Sequence, residues 1–232
     1  STRDEALDSG RKWFPYNKGG DYRKWYGNCE YVLRYDQYGN SLMASFPGHR
    51  HDGKSHYFKE GVTWTFISSS NFAARYTPNG FVFDVSGSSL FPTHPKRIVA
   101  FLCTELCFNI LKALNPTLNF QVGNLKSLPI DVAAIDKVAD KIDSLSDQLV
   151  NLAKSDWNSY ETSWDFMTFP LLDMGAPDDK LETRWILLKT KWQQITSEMQ
   201  RLEQENNSIF IQAYQLQAEL NPAVALSNIT LS

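Results

Sequence analysis

LNPTLNFQVGNLKSLPI, residues 114–130, separates two halves of the chain that follow different sequence rules. Before it, apolar and polar residues alternate over short segments broken by Gly, Pro, Asn and Ser; after it come long stretches with a seven-residue repeat and few breakers. The run itself predicts a helix end at Leu114, a stop at Asn115-Pro116, a short strand over 118–122, a turn at Gly123-Asn124 and an exit strand closed by Pro129. It docks the first half and launches the second.

Downstream, Asp131 is placed to cap a helix, and Ile135, Val138, Ile142, Leu145, Leu149 and Leu152 recur at alternating spacings of three and four. A second seam starts after Pro177, with Asp179 and Glu182 spaced as a capping box. It runs through Leu181, Trp185, Leu188, Trp192, Ile195, Met199, Leu202, Asn206, Ile209, Ala213, Leu216 and Leu220 to a stop at Asn221-Pro222. Only Asn206 interrupts it, where a buried Asn can fix pairing register. At about 1.5 Å per residue the second helix would be roughly 60 Å long and the first about half that. An antiparallel hairpin of the two leaves part of the longer seam in need of another partner. The connector, 154–177, carries Trp157, Tyr160, Trp164, Phe166, Phe169 and Leu171, apolar enough to fold back onto a surface.

Upstream, Asp4, Glu5 and Gly10 suggest a short solvated lead-in. In residues 11–28, RKWFPYNKGGDYRKWYGN, five cations interleave with six aromatics around a Gly-Gly turn. Cations so placed can reach phosphates and base edges, and aromatic faces can pack on sugars or an unstacked base. The ordinary alternative is that the aromatics are core and the cations lie over them; residues alone leave both open. Glu30 to Tyr35 reads as a strand leading to a turn at Tyr38-Gly39-Asn40. The Ser45–Lys54 loop gathers His49, Arg50, His51 and Lys54, with His56 beyond, but no second ligand pair, so a polar cationic loop is expected rather than a metal site. Val62 to Phe91 reads as a three-stranded meander, and Lys96 to Leu114 as one buried helix with Cys103 and Cys107 as filler. Ser86-Gly87-Ser88-Ser89 lacks the Gly-x-Ser-x-Gly pattern of a nucleophile elbow.

The 232 residues carry a net charge of −3, which conceals +5 over residues 1–130 and −8 over 131–232. A basic first half suits a phosphate-bearing partner; the acidic half does not. No apolar run approaches a membrane span and no signal peptide opens the chain, while three cysteines in no framework spacing suit a reducing compartment. A cytoplasmic protein is expected.

LNFQVGNLKSLPI, together with residues 12–28, 57–76 (YFKEGVTWTFISSSNFAARY), 80–91 (GFVFDVSGSSLF) and 156–166 (DWNSYETSWDF), resembles the end of the target-recognition region in large adenine-specific DNA methyltransferases. These are the enzymes of bacteriophage-exclusion (BREX) systems and related type IIG restriction-modification proteins, with a Taq-like specificity domain. The resemblance covers nearly the whole chain. It implies a part that selects sequence and holds a duplex while a catalytic domain flips out the adenine. The family transfers methyl from S-adenosylmethionine through an Asn-Pro-Pro-Tyr-type motif in a glycine-rich doubly wound domain. Here Asn-Pro occurs only as Asn115-Pro116-Thr117 and Asn221-Pro222-Ala223, and no glycine-rich cofactor turn exists. The expectation is therefore no catalytic residue, cofactor or metal site in this chain, with the methyltransferase domain upstream in the same polypeptide and a further segment after the 223–232 tail.

The expected fold is α+β: a small mixed or antiparallel β domain with a buried helix (1–130), then a long antiparallel, coiled-coil-like helical hairpin (131–222). The resemblance favours double-stranded DNA as partner, with Arg11, Lys12, Lys18, Arg23, Lys24, Arg50 and Lys54 in contact and Trp25, Asn28 and His51 behind them. The competing reading is an interaction or self-association module working through the exposed part of the long heptad helix.

Overall fold

In the computed structural model, which describes residues 2–50, 53–67, 71–115, 117 and 119–231, the first half contains two three-stranded sheets rather than one meander. A short helix α1 (Arg3–Asp8) begins with a capping box between Thr2 and Glu5. Strand β1 (Trp13–Asn17) pairs antiparallel with β2 (Tyr31–Arg34), and Trp13 lies opposite Arg34, so both share one face. Beyond β2, Asp36 accepts the Gly39 N–H at 2.7 Å and starts helix α2 (Gln37–Ser45), where the sequence suggested a turn. One acceptor at the right place outweighed the weak helix propensity of Tyr-Gly-Asn.

The second sheet is β4 (Ala74–Thr77), β3 (Gly61–Trp64) and, on the far edge, β6 (Ser89–Leu90), all antiparallel. Strand β5 (Val82–Phe83) leaves the expected meander and pairs parallel with β1. The reason is burial: Val82 points into a small core with Ala6, Phe14, Tyr35 and Phe58, which the second sheet does not reach. In the serine-rich return, the Ser88 hydroxyl donates to Val85 O and that of Ser89 to Gly87 O, so both are occupied with turn backbone.

The expected single buried helix is two, α3 (Pro95–Leu102) and α4 (Glu105–Leu114). The Thr104 hydroxyl donates to Phe101 O at 2.6 Å, closing the first, and accepts the Cys107 N–H at 3.0 Å, opening the second. The seam also differs from its reading. Asn119 makes an isolated bridge to Ile67, Val122 already begins helix α5 (Val122–Lys126), and no exit strand forms among the described residues. Pro116 and Leu118 lie outside those residues.

Asp131 does cap a helix, but a short one, α6 (Val132–Asp136), and α7 (Ala139–Trp157) starts afresh after Val138. Helix α8 (Leu181–Ala213) follows the connector. Groove residues 134–138 face 209–215, and 152–159 face 188–196, so α7 and α8 run antiparallel. The expected capping box is absent: Asp179 accepts the Ala176 N–H, and Arg184 donates to the carbonyls of Leu172, Ala176 and Pro177, pinning the connector over the helix start. Helix α8 also stops seven residues short of Leu220. Gln215 is left-handed at φ 58°, with Leu216 N–H on Ile211 O and Gln215 N–H on Gln212 O, a Schellman closure without glycine. Its 33 residues span about 50 Å.

The hydrophobic core does not divide at residue 130. Trp64, Val62 and Ala74 of the second sheet, Val99 and Phe101 of α3, and Ile142, Leu149, Met199 and Phe210 of the hairpin form one buried cluster. Asn206 does not pair across a helical seam; its amide donates to Ala100 O at 2.9 Å and ties α8 to α3. Among the described residues no helix is long and apolar enough to cross a membrane.

Candidate nucleic-acid interface

The 11–28 run splits into an outward and an inward part. Its outward part starts with Arg11 and Lys12, both exposed, with Lys12 Nζ 5.8 Å from the Trp13 ring centroid. Trp13 is 54% exposed on the outer face of the first sheet. Opposite it, Arg34 stacks at 4.3 Å over Tyr38, which is 60% exposed, while Asp36 holds the guanidinium through both oxygens. At the other end of the β1–β2 ribbon, exposed Lys18 lies 5.6 Å over the Tyr31 ring. Six residues of extended chain separate Lys12 from Lys18, about 20 Å.

The Lys18 turn is built from beneath. The Asn17 side chain donates to Thr77 Oγ1, and the Tyr16 hydroxyl donates to Asp84 Oδ2 at 2.5 Å. Burial, then that carboxylate, pushes the Tyr16 phenol far above its ordinary value, so it stays a donor. Asp84 Oδ1 in turn accepts the N–H groups of Ser86 and Gly87. Gly19, at φ 84°, sits where a Cβ would meet Ser86 O at 2.8 Å. Only glycine lets the turn close against the 84–88 loop.

The inward part is Arg23, Lys24, Trp25 and Asn28. Arg23 Nη1 lies 3.1 Å from Asp156 Oδ2, with the guanidinium 5.1 Å over the Trp157 ring. Lys24, 5% exposed, forms an ion pair with Glu203, itself 3% exposed. Trp25 is fully buried, left-handed at φ 71°, and donates its indole N–H to the same carboxylate at 2.8 Å. Asn28 is buried and donates to Asp21 O. These four side chains, expected to face DNA, instead hold the hairpin and the loop: the acidic half partners Arg23, Lys24 and Trp25, and Asn28 turns onto its own loop, which composition could not reveal. Lys24 and Trp25 in particular have no free path to a duplex.

Of the remaining candidates, Arg50 is exposed and Lys54 half-buried in a single 3₁₀ turn, Lys54–His56. Burial, then the nearby Arg3, pushes the Lys54 ammonium below its ordinary value. Arg3 therefore adds a cation the sequence reading missed, as it missed Arg34 with Tyr38; a register that puts Arg34 opposite Trp13 was the available signal. His51 lies outside the described residues. The structure thus brings Lys12, Trp13, Arg34 and Tyr38 together at one end of the ribbon, leaves Lys18 with Tyr31 at the other end on the opposite face, and groups Arg3 with Lys54.

No group of three or more His, Cys, Asp or Glu side chains among the described residues is disposed to hold a metal. Burial pushes the Cys29 and Cys103 thiols up to about 11 and raises that of Cys107 well above its ordinary value, which makes them poor nucleophiles.

Fold and surface together define an α+β module whose first sheet exposes cations and aromatics and whose second sheet is packed, with α3, against an acidic helical hairpin. No family model matches the chain. It is 35% identical over 230 residues, 93% of its length, to the adenine-specific methyltransferase PglX of Lacticaseibacillus casei (strain Zhang). It is also 35% identical over 182 residues, 73% of its length, to the adenine-specific methyltransferase BrxX of Escherichia coli O9:H4 (strain HS). The chain spans 19% of the first protein and 14% of the second, so it is related to one region of such methyltransferases.

Proposed function

We propose that this chain is a DNA target-recognition module of an adenine-specific methyltransferase of the phage-exclusion or restriction-modification kind. In this reading S-adenosylmethionine binding and methyl transfer belong to another part of a longer polypeptide, and this part grips the duplex. The supporting observation is the β1–β2 ribbon: Lys12 on Trp13 and, across from it, Arg34 on Tyr38 are open to solvent at one end, and Lys18 on Tyr31 is open at the other end, on the opposite face by register, while the acidic hairpin packs against the second sheet and α3. Exposed cations supply phosphate attraction, and exposed rings supply faces for sugars or bases. Arg11, beside Lys12 in the chain, and the accessible Arg50 and Lys54 are further candidate contacts in this reading.

The test is duplex binding across a salt series for wild type and a Lys12→Ala/Lys18→Ala double variant. Losing two phosphate contacts lowers the slope of log affinity against log salt by about two and weakens low-salt binding roughly tenfold or more. Unchanged affinity and slope would remove the ribbon from the interface. Arg23 and Lys24 are left out of that variant because their loss would strip the hairpin's anchors. Adenine modification at a defined site by the intact parent tests the wider reading.

A second reading has an observation of its own. At the start of α8, Leu181 is 67% exposed and Trp185, Ile186 and Leu187 are also open to solvent. Such a patch suits a protein partner, either a second copy or the methyltransferase domain. Sedimentation of an Ile186→Asp variant against wild type tests self-association; a concentration-dependent wild-type dimer lost in the variant would favour it.

A further inference from the structure

Loop 18–28 is held from two sides. Below it, the Thr65 hydroxyl donates to Gly20 O at 2.9 Å, Arg75 Nη1 donates to Arg23 O at 3.2 Å, and the Trp25 backbone exchanges hydrogen bonds with Ala74 and Tyr76. These contacts come from the sheet's own half of the chain. Behind it stand groups from the far half: Asp156 at the end of α7, Glu203 in the middle of α8, and the Thr230 hydroxyl, which accepts the Lys24 N–H at 3.0 Å. Glu203 is divided between two consecutive loop residues, one oxygen on the Lys24 ammonium and the other on the Trp25 indole.

The conformation so held is not one the loop would keep unaided. Trp25 and Asn28 both have positive φ, an arrangement that bulky residues adopt only when their surroundings over-determine it. Gly27 lets the Arg23 side chain and the Trp157 ring press against its backbone. Two buried cations in succession would also repel each other and resist desolvation without the carboxylates opposite them.

We propose that Glu203 and Asp156 are positioning residues for this loop. The acidic hairpin sets the shape of the loop from its buried side, so that Lys18, Gly19, Gly20 and Asp21 meet a partner as a rigid edge. The proposal rests on the DNA-recognition reading for the nature of that partner, and on geometry alone for the positioning. It gives the two acidic helices a role in recognition without any contact to nucleic acid, and it makes the loop sensitive to whatever moves α8.

The full chain is compared as wild type, Glu203→Gln, Asp156→Asn and Leu145→Ala, the last a core change between α7 and α8 that leaves both carboxylates in place. Backbone amide exchange is followed at Trp25 and Tyr26 against the strands β3 and β4, and duplex binding is measured over a salt series. Positioning predicts exchange at least tenfold faster in the loop relative to the strands for Glu203→Gln and Asp156→Asn, whereas Leu145→Ala, which weakens the shared core, speeds loop and strands together. It also predicts duplex affinity at least fivefold lower with an unchanged salt slope, because no phosphate-contacting cation has been removed. Unaltered loop exchange in both carboxamide variants overturns the proposal, as does the same loop-selective loosening in Leu145→Ala, or a loosened loop with wild-type affinity. If Glu203→Gln does not fold, Asp156→Asn decides alone. Wild type that binds no duplex at low salt sinks the DNA reading, while the exchange data still judge the positioning.

Discussion

Residues 11–18 and 23–28 have nearly the same composition, cations beside aromatics, and opposite fates. Lys12 and Lys18 stand in solvent over Trp13 and Tyr31; Lys24 and Trp25 are buried on Glu203. The first set is free to bind a partner, and the second is consumed in joining two halves of opposite charge. A basic stretch is therefore no measure of a basic surface. What decides is where the nearest carboxylates of the remote chain come to rest.

The largest effect should come from breaking the inward pair. Lys24→Ala leaves the Glu203 carboxylate buried without its cation, and urea unfolding should show a loss of about 3–5 kcal/mol. Lys12→Ala, by contrast, should leave stability within about 0.5 kcal/mol. Equal effects would erase the contrast between the two segments. Next, Leu149→Ala tests whether the halves share one core: it should cost about 2–5 kcal/mol in a single transition seen by both sheet and helix probes. Two separate transitions would mean independent units.

Gly19→Ala is expected to cost about 1–2 kcal/mol, because φ is positive there and the new methyl meets Ser86 O. Its melting shift should be smaller than that of Lys24→Ala, with the change confined to the outward turn. The smallest effect is at the helix surface. Arg97 holds the Asp143 carboxyl below its ordinary range through a two-pronged hydrogen bond, but Asp143 is substantially exposed, so Asp143→Asn should cost at most about 1 kcal/mol. Since the folded carboxyl is depressed, this contribution is present at neutral pH and fades as pH falls through the carboxylate range. Wild type and variant should converge in acid.

Much of the scaffold was legible. Alternation and β-rich composition gave the strands β2 to β4 though not β1, the heptad spacing gave α7 and α8, and Asp131 did cap a helix. The misses share a cause. Asp36, Thr104 and Gln215 each mark a cap or closure made by one or two local hydrogen bonds that overrode propensity, so α2 appeared, the buried helix broke in two, and α8 stopped early. The candidate site was harder to read. The sequence located the cationic and aromatic segment but could not divide it, because Glu203 lies 179 residues from Lys24.

The sequence by itself determined the period of each segment, the charge of each half and the set of residues able to bind phosphate, because these depend on neighbours within one or two turns. Tertiary structure alone decided which cations remain in solvent and which sheet β5 joins. It also decided that the two halves share a core. Those outcomes turn on desolvation and pairing between residues far apart in the chain, and burial of a charge is favourable only where the fold supplies its partner.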